Sequence, residues 1–196
     1  MKQQEVLRFV ILFVLVLLPN SAHAVPQGDM SLYDSVLDVP FNIGSGNAEV
    51  DSHVYIYTSG GYVDKYLYTY QITNVDSGIG LLDFSVCMID GANAYALDVD
   101  PVLDCIEPSL WEISDPPFRT VAAHFTTAIT DDISSALLSY VSDDAPGLAD
   151  ATLFGTFSGS PYYAEAEVLA PVPEPYTLVL FAIGAMILAK RNCQKP

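Results

Sequence analysis

Tyr66-Leu67-Tyr68-Thr69-Tyr70-Gln71-Ile72-Thr73 is the stretch whose reading decides the fold. Tyr66, Tyr68, Tyr70 and Ile72 alternate with Leu67, Thr69, Gln71 and Thr73, a repeat of two rather than the longer repeat of a helix, in side chains that suit a pleated surface. Just upstream, Val54 and Ile56 alternate with Tyr55 and Tyr57 in the same way. Working outward, further strand candidates fall at 32–39, 82–89, 121–129, 136–141, 151–157 and 162–169. Turn-forming clusters separate them, among them Gly44-Ser45-Gly46-Asn47, Ser59-Gly60-Gly61, Asp76-Ser77-Gly78, Asp143-Asp144-Ala145-Pro146-Gly147 and Ser158-Gly159-Ser160-Pro161. About eight short strands spaced by turns predict an all-β fold, an antiparallel β-sandwich. No helix and no internal repeat is expected within this body.

The two ends of the chain read differently. Lys2 and Arg8 precede an unbroken apolar run at 9–18, and Ser21-Ala22-His23-Ala24 places small residues where a signal peptidase admits them, so 1–24 is expected to be a signal peptide cut between Ala24 and Val25. The alternative is an uncleaved anchor. At the other end Pro173-Glu174-Pro175 precedes an apolar run at 176–189, and Lys190 and Arg191 follow it. A single C-terminal transmembrane helix over 176–189 with a cytoplasmic basic tail is the expectation, and 170–173 should form a short stiff linker. The passenger domain is then 25–169, large enough for one real core.

Five of the seven basic residues lie in the terminal segments, leaving only Lys65 and Arg119 in the exported body. Two basic against twenty-two acidic residues over 25–172 leave it a formal charge of −20. Such a body repels phosphate backbones, so nucleic acid is excluded as a partner.

Cys87 and Cys105 are the cysteines of the exported part. In an oxidising compartment a bridge between them is the favoured reading, contributing on the order of 3 kcal/mol if unstrained, with two free thiols as the alternative. Cys193 lies beyond the apolar run and cannot pair with them.

Chemistry-bearing motifs are sparse. His53 and His124 are the histidines of the body, and His124 falls inside a strand candidate, where an ordinary edge-strand imidazole is the plain reading. Gly155-Thr156-Phe157-Ser158-Gly159 misses the nucleophile-elbow spacing by one residue. Asp90, Asp98, Asp100, Asp104 and Glu107 form an acidic run of the hard-oxygen type calcium prefers, but without the Asp-x-Asp-x-Asp-Gly spacing, and solvated acids are the simpler reading. No cofactor is expected. Tyr55, Tyr57, Tyr66, Tyr68 and Tyr70 would form an aromatic platform for a sugar if their faces looked outward, and would form core and cross-strand pairs otherwise.

Val172-Pro173-Glu174-Pro175, the apolar helix candidate and the basic end resemble the PEP-CTERM sorting domain of Gram-negative bacterial proteins handled by exosortase, a polytopic membrane transpeptidase-like enzyme. Tyr68 to Asn74, the single Trp111 and the late Ser139 to Gly147 are similar to a recurrent class of such proteins. A tail of this type is also catalogued as the C-terminal domain of ice-binding proteins, a label that describes the tail and not the passenger. The resemblance implies that Pro173, Glu174 and Pro175 are the recognition residues, that exosortase is a partner, and that the chain is anchored transiently at the membrane before reaching the envelope or matrix. The prolines suit that role physically, since they remove backbone donors and hold Glu174 extended for a protease-like groove. The expected function is a non-enzymatic exported surface or extracellular-matrix protein associated with exopolysaccharide or biofilm. A carbohydrate-binding module is the alternative, and a secreted hydrolase the third reading.

Overall fold

The structure, a computed structural model, describes residues 28–89, 91–100, 104–114 and 119–173. The expected signal peptide, the Ala24–Val25 junction and the expected span at 176–189 lie outside them. No helix among the described residues is long and apolar enough to cross a membrane.

Eleven strands make up the described fold: β1 (Met30–Ile43), β2 (Gly46–Tyr57), β3 (Tyr66–Asn74), β4 (Gly80–Cys87), β5 (Tyr95–Asp100), β6 (Leu110–Ile113), β7 (Thr120–Ile129), β8 (Ile133–Ser134), β9 (Leu137–Ser142), β10 (Pro146–Phe157) and β11 (Ser160–Pro171). They form two sheets whose neighbouring strands all run antiparallel. The first has the order β1-β2-β3-β9-β5, with β8 on the end of β3, and the second the order β11-β10-β4-β7-β6. The all-β expectation holds, with three short strands beyond it. β5, β6 and β8 carry too few residues to display a repeat of their own, and partners elsewhere in the chain define them. β1, β2 and β10 extend well past their expected ends; Gly46 and Asn47 begin β2, and Pro146 and Gly147 begin β10, instead of closing turns.

The turns follow from local chemistry. β10 and β11 are joined through Ser158 and Gly159, both with positive φ (50° and 81°), the pairing that matches strand twist in a two-residue hairpin. The run Gly155 to Gly159, discarded above as a nucleophile elbow, is this hairpin end. Between β1 and β2, Gly44 turns at φ 68°, where a Cβ would collide with the Ser77 carbonyl.

The core lies between the sheets. Alternation in β3 directs Tyr68, Tyr70, Ile72 and Asn74 inward, all at 0 % exposure, against Phe84 and Val86 of β4, Val121 and Ala123 of β7, and Ala151 and Leu153 of β10. Four buried aromatic rings pack across this interior: Tyr68 stacks on Tyr140 (centroids 5.2 Å), Tyr70 stacks on Tyr140 (5.9 Å), and Tyr70 meets Phe84 at a tilt (5.6 Å). Their hydroxyls are satisfied. Tyr70 donates to the Leu169 carbonyl (2.6 Å) and meets the Tyr140 hydroxyl at 2.9 Å, while Tyr68 donates to the Asp144 carbonyl (2.8 Å). Burial pushes the hydroxyls of Tyr68, Tyr70 and Tyr140 well above the usual phenol range. At the end of β3, buried Asn74 donates to the carbonyls of Ile79 (2.8 Å), just before β4, and Ile129 (2.9 Å), the last residue of β7, clasping the first sheet to the second.

Candidate functional site

The C-terminal junction is built from β11. Pro171 is still in register with Pro146 of β10 and is buried, Val172 donates its backbone N–H to the Ala145 carbonyl (2.9 Å), and Val172 also covers Gly147. Ala170 and Pro171 therefore belong to the sandwich, and the linker expected over 170–173 is largely taken up by the fold. The reason is the ladder itself: Pro171 needs no donor on a sheet edge, so proline there ends the strand without breaking it. Pro173 lies at the surface of the domain, directly after its last tertiary hydrogen bond, while Glu174 and Pro175 lie outside the described residues.

The tyrosines singled out from the sequence divide between two surroundings. Tyr68 and Tyr70 stand in the core, and Tyr66 is half-buried against it with Tyr33 edge-on at 5.2 Å. Tyr57 instead lies on the outer face of the first sheet, 1 % exposed, in a satellite cluster with Leu67 and Val141. Tyr55, Tyr62 and Tyr95 pack on that cluster, with Tyr62 5.7 Å from Tyr57 and 6.2 Å from Tyr95. Burial raises the Tyr57 hydroxyl to about 12, with Tyr62 and Asp98 adding to it. The five tyrosines thus share no platform. Around this cluster Asp143 accepts from Tyr95 (2.9 Å) and Asn93 (2.8 Å) and pairs with Lys65. The Lys65 ammonium and these donors hold the Asp143 carboxyl below the usual carboxylate range.

His53 lies on the same outer face as Tyr55, its Nδ1 buried without a hydrogen-bond partner among the described residues. His124 has a different setting. It is directly opposite Asp83 of β4 on one side and Leu110 of β6 on the other. Its Nδ1 bonds the Asp83 carboxylate, and its Nε2 faces Glu112 Oε1 at 3.6 Å. Ser109 hydrogen-bonds the backbone carbonyl of His124 through its hydroxyl (2.9 Å), not the ring. Carboxylates thus stand near both ring nitrogens, and among the described residues no serine hydroxyl bonds the ring.

Continuing that row across the second sheet, Asp83 is opposite Phe154 of β10, and Phe154 is opposite Tyr163 of β11. Their rings are 4.9 Å apart, and Tyr163 is 67 % exposed. The next row places Glu165 opposite Thr152, and the one beyond places Glu167 opposite Asp150. An outward aromatic pair beside acids is therefore present on the second sheet as well as at Tyr62 and Tyr95 on the outer face of the first. Alternation of Tyr163, Glu165 and Glu167 with Ala164, Ala166 and Val168 was a readable signal for this face. Its alignment with Asp83 and His124 depends on pairings between strands far apart in the chain.

Cys87 and Cys105 stand as free thiols, so the bridge favoured from the sequence is not formed in this structure. Topology explains this. Cys105 precedes Ile106, which bridges to Ser135 beside the Asn74 end of β3, next to the start of β4, whereas Cys87 closes the opposite end of β4. An eight-residue strand spans roughly 25 Å, far beyond the ~7 Å Cα limit for a disulfide. Of the calcium candidates, Asp90 lies outside the described residues. Asp98 bonds its neighbour Val99 through Oδ1 (3.0 Å), and no group of three ligand-type side chains able to hold a metal occurs among the described residues.

The family model of the PEP-CTERM protein-sorting motif matches residues 171–192. No curated protein and no solved structure matches the chain. The match begins at Pro171, the last residue of β11, so that the sandwich passes into it without an intervening spacer. The chain carries a PEP-CTERM protein-sorting motif, the mark of an exported protein held transiently at the membrane until exosortase processes it.

Proposed function

We propose that this is a non-enzymatic surface or extracellular-matrix protein, a β-sandwich delivered by an exosortase-type system to the cell envelope or the exopolysaccharide matrix. The observation that carries this reading is the sorting match starting where the domain ends. The acidic character supports the same destination, since only Lys65 and Arg119 offset the carboxylates of the body and the surface is strongly hydrated and self-repelling.

The test replaces Pro173, Glu174 and Pro175 together by alanine in a native-type host and measures the intact mass of the envelope and released forms. Export should continue, and the species ending near Glu174 should give way to one that retains Cys193. Removal of the tail at the same place in the variant would overturn the reading. Carbohydrate binding is the second reading, favoured by the exposed Tyr163 ring packed on Phe154.

A further inference from the structure

The tail leaves the sandwich at one end, and the surface of that end has a character of its own. β1 and β3 start there and β2, β9 and β11 finish there, with Met30 opposite Tyr57, Tyr66 opposite Ser142 and Pro146 opposite Pro171. Two loops close around the exit: Val172 is bonded to Ala145 in the turn from β9 to β10, and a Cβ on Gly91 would meet the Pro173 ring at 3.6 Å. Exposed apolar side chains gather here, Met30, Leu32 and Tyr33 on β1, Val63 and Ile89 in the end loops and Leu148 on β10, each at least 40 % exposed. Both basic residues of the body share this end. The backbone carbonyl of Lys65 accepts from Tyr57 and that of Arg119 from Met88, and the Arg119 guanidinium donates to the Ala92 carbonyl (2.8 Å).

The chain itself decides what covers this end. Only Glu174 and Pro175 separate Pro173 from the apolar run that opens at Tyr176, so the run starts at most about 10 Å from Pro173, at ~3.5 Å per extended residue. A headgroup layer is itself roughly 5–8 Å thick. While the tail holds the chain at the membrane, this end therefore stands at the headgroups. Apolar and phenolic side chains are favoured at that depth, and the tether raises their local concentration so that modest contacts suffice. Asp29 and Asp64 lie here beside Lys65, in the strand start and turn around Tyr57, and a body of formal charge −20 is repelled by an anionic surface. The lipid that fits is zwitterionic, with phosphate for the cations and ammonium for the acids. We infer that the tail-exit end is a docking face for a zwitterionic phospholipid surface, seating Val63 and Ile89 among the headgroups before processing, an inference that rests on the membrane-held reading of the sorting motif.

The full chain, purified from an expressing host without any sorting step and carrying Cys87→Ser, Cys105→Ser and Cys193→Ser, receives one fluorescent label through Val63→Cys or Phe157→Cys. It is reconstituted in phosphatidylethanolamine–phosphatidylcholine liposomes containing a lipid with a nitroxide on its headgroup. The Val63 label should lose at least half its fluorescence, and the Phe157 label, at the far end of β10 and roughly 35 Å away, should keep nearly all of it. Proximity alone is removed by a flexible Gly/Ser spacer of about 20 residues, roughly 25 Å in r.m.s. length, inserted between Val172 and Pro173. Quenching at Val63 should survive the spacer and disappear when Met30→Glu and Ile89→Glu are added to it. Both positions are exposed, and an unchanged urea midpoint verifies the fold. An unquenched Val63 label, loss of quenching with the spacer alone, or full quenching in the glutamate variant would each overturn the inference. Quenching that appears only when the sorting enzyme is co-reconstituted would assign the face to that protein and overturn it as well. Flotation of the same liposomes separates the two readings: a chain that floats with an unquenched label sinks the docking face alone, whereas one that does not float sinks the membrane-held reading together with it.

Discussion

Replacing Tyr70 by Phe removes one oxygen from the middle of the sandwich and tests whether the buried tyrosines hold the two sheets together by hydrogen bonding or only by packing. The Tyr70 hydroxyl donates to the Leu169 carbonyl at 2.6 Å, so the Tyr140 hydroxyl 2.9 Å away donates to Tyr70. Tyr70→Phe leaves a donor on Tyr140 and loses an interaction of the Leu169 carbonyl, both out of reach of water. At about 1–3 kcal/mol for each buried group left unpaired, the loss should be about 3–4 kcal/mol. For a body of this size that corresponds to a fall in Tm of roughly 10 °C. Tyr140→Phe removes only the donor and should cost about 1 kcal/mol. The double variant leaves no orphaned hydroxyl, so it should be more stable than Tyr70→Phe alone. Trp111 is the single tryptophan and lies 6.2 Å from Tyr140, which makes its fluorescence the reporter for urea unfolding. A loss below about 0.5 kcal/mol in Tyr70→Phe, or strictly additive losses in the double variant, would refute the reasoning.

Tyr68, Tyr70 and Tyr140 have hydroxyls raised by burial, so above pH ~10 the unfolded chain releases protons that the folded one retains. Their contribution to stability is complete below that pH and is lost as pH rises, and urea midpoints should fall between pH 10 and 12; a flat profile there would contradict it. Asn74→Ala removes two donations to buried carbonyls and should cost about 2–4 kcal/mol in the same unfolding assay. Asn74→Asp should be at least as harmful despite its shape, because a carboxylate cannot donate to either carbonyl. In the processed form, Cys87 and Cys105 should take up two alkylating labels without reductant, Cys87 faster because it is exposed. A mass gain of two hydrogens on reduction, with no prior labelling, would mean that the bridge forms after all.

The sequence by itself determined the class of the fold and the presence of a sorting motif. Alternation of period two around Tyr66 to Thr73 requires a strand with one buried face, and the tail motif is local, so both are legible without any partner. It also exposed the acidic imbalance, which is a property of composition. The sequence did not determine which face each aromatic occupies. Tyr57 and Tyr68 look alike in a linear pattern, but Tyr57 lies on the outer face and Tyr68 in the core, because strand pairing and the second sheet decide which side is dry. The short strands β5, β6 and β8 were invisible for the same reason, as their ladders are formed with β9, β7 and β3. The Cys87–Cys105 pairing failed because distance along the chain says nothing about the two ends of β4. Only the tertiary structure aligned Tyr163, Phe154, Asp83 and His124 in one row, since a register between strands separated by tens of residues is set by mutual burial of their opposite faces.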